Sequence, residues 1–81
     1  MNVRVKLFAV ARQLAGCEVA AVQLPEGATV AHLREKLTEQ YPNLAGLSTH
    51  LVFAIDAEYA NDDSLVPDSA EIACIPPVSG G

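Results

Sequence analysis

Glu71-Ile72-Ala73-Cys74-Ile75-Pro76-Pro77-Val78-Ser79-Gly80-Gly81, residues 71–81, decides how the whole chain is read. Ile72 and Cys74 alternate with Glu71, Ala73 and Ile75, the period of two that gives a strand two unlike faces. Pro76-Pro77 then breaks the ladder, because proline has no N–H to donate. From Pro76 onward there is no periodicity, so residues 76–81 are expected to form a tail held clear of the body. Extended at ~3.3 Å per residue, such a tail reaches up to ~20 Å. Its prolines stiffen the base and reduce the entropy lost on docking, while Gly80 and Gly81 remove every Cβ from the tip, which suits a narrow channel.

Upstream, Val3, Val5 and Leu7 alternate with Asn2, Arg4, Lys6 and Phe8 and predict a first strand with one buried face. Ala9 to Ala15 places Val10 and Leu14 four apart before Gly16, the pattern of a short helix and its stop. Glu18 to Leu24 carries Val19, Val22 and Leu24 and closes at Pro25-Glu26-Gly27, which suits a tight turn. Thr29 can cap a helix whose apolar stripe is Val30, Leu33, Leu37 and Tyr41, with Glu35, Lys36 and Glu39 on the wet side. Pro42 sets its end near Gln40 or Tyr41. Two short strands, Leu51 to Asp56 and Glu58 to Asn61, flank a turn at Asp56-Ala57. Ser64 to Asp68 is expected to connect them to the last strand, with Leu65 pointing inward.

Strands returning on either side of one helix with a single apolar stripe make an α+β roll, a mixed sheet of about five strands covered by one main helix. The first and last strands lie parallel and adjacent in its middle, so the tail leaves from a rigid element. Eighty-one residues fit one domain, 1–81. With 51% apolar residues, 5% aromatics and no Trp, the core has to come from Val, Leu, Ile and Ala.

Composition also excludes functions. A net charge of -5, with Arg4, Lys6, Arg12, Arg34 and Lys36 as the only fixed cations, does not suit a nucleic-acid backbone and fits a basic protein partner better. The strand-like opening lacks the apolar run of a signal peptide, no stretch approaches the ~20 apolar residues of a membrane span, and two cysteines fit a reduced, cytoplasmic protein. His32 and His50 have no Cys or carboxylate at ligand spacing, and Asp62-Asp63 and Asp68 read as solvated turn carboxylates, so no metal site is expected. Cys74 shares its phase with Ile72 and reads as a buried apolar thiol; Cys17, beside a turn, is expected to be inert. Ala73 and Ile75 take the opposite phase, and with Phe8 they form an apolar patch beside the tail, a candidate partner surface.

The ending Ile75-Pro76-Pro77-Val78-Ser79-Gly80-Gly81 resembles the terminus of the molybdopterin synthase small subunits (the MoaD type) of the ubiquitin-like β-grasp superfamily. The opening Val5-Lys6-Leu7-Phe8-Ala9-Val10-Ala11-Arg12-Gln13-Leu14-Ala15-Gly16 is similar to that family's first strand and following segment. A bare Gly-Gly end would be read as a frayed terminus; its Pro-Pro-Val-Ser context is what carries the likeness. Two turns depart from the pattern. Ile55-Asp56 stands where the family often has Val-Asn, and Pro67-Asp68-Ser69-Ala70-Glu71 where it has Asp-Gly-Asp-Glu.

The resemblance implies a sulfur carrier whose working group is the C-terminal carboxylate of Gly81. An E1-like adenylyltransferase would activate Gly81 with ATP and Mg²⁺, since this chain has no phosphate-binding loop and binds no cofactor itself. A persulfide sulfur donor would displace AMP on the way to a thiocarboxylate. The tail, Gly80, Ser79, Val78, Pro77 and Pro76, with Ile75 and Phe8 at its base, would engage the synthase large subunit in a heterotetramer and deliver sulfur to cyclic pyranopterin monophosphate. The carrier supplies no catalytic side chain. The same tail chemistry would serve thiazole synthesis or, with a lysine as acceptor, protein modification.

Overall fold

The computed structural model describes residues 1–77. Its elements are β1 (Asn2–Leu7), α1 (Ala9–Ala15), β2 (Val19–Gln23), α2 (Val30–Gln40), a 3₁₀ helix (Pro42–His50), β3 (Val52–Ile55), β4 (Glu58–Ala60) and β5 (Glu71–Ile75). They make one five-stranded mixed sheet in the order β2-β1-β5-β3-β4. β1 and β5 run parallel, with Val5 opposite Ile72 and Leu7 opposite Cys74, and the other pairings are antiparallel. The expected α+β architecture and the central parallel pair are both present.

Helices cover one face of this sheet. Val3, Val5 and Leu7 from β1, Ala20 and Val22 from β2, Phe53 from β3 and Ile72 and Cys74 from β5 all point into the covered side. Val30, Leu33 and Leu37 meet them from α2. Burying side chains of this size contributes about 1.5–3 kcal/mol each. Thr29 caps α2, its Oγ1 accepting from the His32 N–H at 3.4 Å, and the last turn closes at Tyr41 immediately before Pro42. Gly16 ends α1 with φ 77, a conformation that glycine takes without a Cβ clash.

One expectation, the inward-pointing Leu65, needs correction, and two features go beyond the sequence reading. Beside the main helix α2, Pro42–His50 coils into 3₁₀ turns that the sequence does not announce: only Leu44 of that stretch is buried, so there is no stripe to see. In α1 the fully buried residue is Ala11, while Val10 is 39% exposed, because the helix is too short to bury two sides and packs closely through its smallest residue. Leu65 does not point inward. It forms an isolated antiparallel bridge with Thr29, and the Val66 N–H donates to the Ala28 carbonyl at 2.9 Å. Extended backbone alternates its side chains; Val66 therefore enters the core and Leu65 stays outside, 65% exposed.

Arg34 ties the covering layer together. Its Nη1 donates to the backbone carbonyls of Ser48 and of Leu51, the latter at 2.6 Å, its Nη2 pairs with Asp62 at 2.8 Å, and its guanidinium lies 5.2 Å from the Phe53 ring centroid. One side chain thus adds charge-assisted bonds to two carbonyls at the 3₁₀ helix end and holds the 61–64 turn. Arg34→Met is expected to lower unfolding free energy by about 2–3 kcal/mol, because both carbonyls lose a charge-assisted bond. Asp62→Ala, which removes only a surface partner, is expected to cost under about 1 kcal/mol; urea unfolding of the two variants compares them.

β3 and β4 are joined by Asp56 (φ 49) and Ala57 (φ 70), a two-residue hairpin loop with both residues in the left-handed region. Such a turn matches the twist of the strands it joins. The Asp56 side chain accepts from the Glu71 N–H at 3.0 Å, and the Asp56 N–H donates to the Glu71 carbonyl at 2.8 Å, so this departure from the family pattern pins the hairpin to the start of β5. Ala57 has no such compensation. Ala57→Gly is expected to raise stability by about 0.5–1 kcal/mol, read as a higher urea midpoint at unchanged m-value.

Candidate functional site

β5 is hydrogen-bonded on both sides, and its phase divides the molecule. Ile72 and Cys74 go into the core, while Ala73 and Ile75 face the side no helix covers. One further bond, Phe8 N–H to the Cys74 carbonyl at 3.3 Å, continues the β1 ladder a residue past the strand and sets Phe8 beside Ile75. Ala9, with φ 50, then turns the chain away into α1. Phe8 remains on the open face, 40% exposed. The two partner-surface residues expected at the base of the tail are therefore neighbours.

The register extends that surface. Lys6 lies opposite Ala73 on one side and Val19 on the other, and Ala73 lies opposite Ala54, which pairs with Tyr59. A second row sets Val52 against Ile75. Of the six exposed large apolar side chains among the described residues, Phe8, Val19, Val52 and Tyr59 are on this face, leaving Val10 and Leu65 elsewhere. Lys6 Nζ stands 5.5 Å from the Phe8 ring centroid, within range of a cation–π attraction. The open face is also concave, lined by Arg4, Lys6, Phe8, Val19, Ala54 and Ala73 among others.

Phe8 and Ile75 were reachable from the sequence because their phase opposes that of the buried residues. Lys6, Val19, Val52 and Tyr59 were not singled out. The signal was available: Val19 stands an odd number of residues from Val22, so it cannot share that residue's face, and the polar phase of β1 runs through Lys6 to Phe8.

At the tail's base Pro76 is buried and Pro77 exposed, so the packed body extends one residue further than Pro76-Pro77 implies. Val78, Ser79, Gly80 and Gly81 lie outside the described residues.

Both cysteines are free thiols. Cys17 is half-buried and its Sγ donates to the Tyr41 hydroxyl at 3.6 Å. Cys74 is fully buried in β5, and desolvation pushes its thiol up from 9.0 to about 12, partly opposed by the Arg34 cation. It is thus a protonated, shielded thiol at neutral pH. No group of three His, Cys, Asp or Glu suited to hold a metal occurs among the described residues, nor does a helix long and apolar enough to cross a membrane.

The Cys74 shift has a signed consequence. Below about pH 9 the thiol is protonated in both the folded and the unfolded chain, so it adds no pH dependence. Between 9 and about 12 only the unfolded chain releases the proton, and stability falls by up to about 1.4 kcal/mol per pH unit. Chemical denaturation from pH 8 to 11 is expected to show a steeper alkaline loss for the native sequence than for Cys74→Ala, whatever the latter's lower starting stability.

The ThiS family model matches residues 5–81. The molybdopterin synthase sulfur carrier subunit of Arabidopsis thaliana is 35% identical over 81 residues, covering 100% of this chain and 84% of that protein. The protein of the same name from Caenorhabditis elegans is 36% identical over 83 residues, covering 100% and 99%. Among solved structures, SAMP1 from Haloferax volcanii superposes with a TM-score of 0.87 at 27% identity, covering 100% of both chains. A complex of subunits 1 and 2 of the molybdopterin-converting factor from Helicobacter pylori contains a chain that matches with a TM-score of 0.67 at 21% identity over 100% of both, a likeness of fold.

Proposed function

The chain belongs to the ThiS family, with molybdopterin synthase sulfur carrier subunits among its relatives, and from that premise we propose that Gly81 carries sulfur for molybdopterin synthesis. The observation that supports this most is the continuity of β5 with the Pro76-Pro77 base. A strand bonded on both sides fixes where the tail begins, and the tail supplies reach.

A carboxylate is a poor acyl donor because resonance stabilises it, so Gly81 is first adenylated. An E1-like adenylyltransferase uses ATP and Mg²⁺ for this step, and pyrophosphate leaves. The terminal sulfur of a persulfide donor attacks the acyl-adenylate and AMP departs. A thiol reductant then cleaves the S–S bond, and the thiocarboxylate remains on Gly81. Sulfur is the better nucleophile, and in the large subunit's pocket it is transferred to cyclic pyranopterin monophosphate; the dithiolene needs two such deliveries.

This chain's own groups position rather than catalyse. Phe8 and Ile75 dock beside the pocket mouth, Pro76 and Pro77 set the direction of the tail, and Val78, Ser79 and Gly80 thread the Gly81 carbonyl to the reacting atoms. The H. pylori complex pairs a chain of this fold with a second subunit, which supports a large-subunit partner. A second reading follows from the likeness to SAMP1, a small archaeal modifier protein by name, in which a lysine amine captures the activated Gly81.

Incubation with the activating enzyme, ATP and a persulfide source is expected to add about 16 Da, the exchange of one oxygen for sulfur, and deletion of Gly80-Gly81 to abolish the gain. Unchanged mass with a demonstrably active enzyme would sink the proposal. Gly-Gly remnants on lysines of other proteins would establish the modifier reading instead.

A further inference from the structure

The geometry points to Lys6 as the charge-selecting centre of the docking face, pairing with a carboxylate on the partner's surface; this rests on the large-subunit reading above. The chain is acidic, with a net charge of -5, yet the open face presents Arg4 and Lys6. Arg4 lies opposite Glu71 in the ladder and has a carboxylate beside it. Lys6 does not. Its lateral neighbours are Ala73 and Val19, and the Phe8 ring is the group it stands over. Among the described residues the one ion pair is Arg34–Asp62, in the opposite layer.

Lys6 is therefore a cation with no carboxylate directly opposite it and no ion-pair partner among the described residues, next to the apolar residues Phe8, Val19, Ala73 and Ile75, with Arg4 and Glu71 one row away. When a partner covers the patch, the ammonium loses water, and a surface with no acceptor there would be rejected. A partner with a carboxylate at that point gains a charge-assisted bond shielded by the surrounding apolar rim. The fit is thus an apolar surface with an acidic centre. Overall attraction between an acidic carrier and a basic partner need not conflict with this, because the selecting contact is local and buried.

The experiment measures binding of the full-length chain to the purified synthase large subunit of the same organism at low and high salt. Lys6→Glu is expected to weaken binding about 100-fold or more, and Lys6→Leu about tenfold with a flatter salt dependence, a loss arising from the partner's unpaired carboxylate. Lys36→Glu, on the exposed side of α2, is expected to bind as the native chain does. Lys6 is exposed, so equal urea midpoints for all three variants verify that they fold. Lys6→Leu binding as tightly as the native chain or tighter, or Lys6→Glu binding unchanged, would overturn the assignment while leaving Gly81 chemistry untouched. Failure of the native chain itself to bind, with the mass gain at Gly81 still observed, would instead remove the large subunit as partner, and the assignment with it.

Discussion

The parallel pairing of β1 with β5 is the constraint on which the rest depends. It joins the two ends of the described chain at the centre of the sheet, so everything between Phe8 and Ala70 serves as a crossover that has to return to the same place. Closing a loop of that length costs entropy before any contact repays it, and the repayment comes from Val5, Leu7, Ile72 and Cys74 meeting Leu33, Leu37 and Phe53. A tail attached to an edge strand would swing with that strand's fraying. Attached to β5, it starts from backbone bonded to β1 and β3 alike.

The sheet separates two tasks. Its covered face holds stability: the apolar core, the capped α2 helix, and Arg34 joining α2, the 3₁₀ helix and the 61–64 turn. Its open face carries the exposed apolar residues Phe8, Val19, Val52 and Tyr59, the surface proposed to meet a partner. Substitutions of exposed side chains on the open face therefore have little consequence for folding, whereas substitutions around Arg34 disturb the covering layer. Asp56 is an intermediate case, since its side chain holds the β3–β4 hairpin against the Glu71 amide at the start of β5.

Much of this was legible in the residues, and the reasons differ by element. β1 and β5 announce themselves through strict alternation, and α2 through a stripe, a Thr cap and a Pro stop. Pro42–His50 does not, because a 3₁₀ turn burying a single leucine leaves no period to detect. That Val66 rather than Leu65 points inward depends on the bridge to Thr29, a contact between segments remote in sequence. At the site, phase was enough to find Phe8 and Ile75. Lys6 reads in the sequence as an ordinary polar residue of an amphipathic strand; its apolar lateral neighbours, Val19 and Ala73, appear only once β2 and β5 lie on either side of it.

Cys74 sits one residue before the end of β5, close to where the cargo chain begins, and its burial gives the experimentalist a handle. An anionic sulfur on Gly81 would be a strong target for alkylating reagents at mildly acidic to neutral pH, while the Cys74 thiol stays protonated and sealed in the core. Replacing the half-buried Cys17 alone would then leave a chain in which electrophilic dyes or affinity tags report the loaded fraction directly.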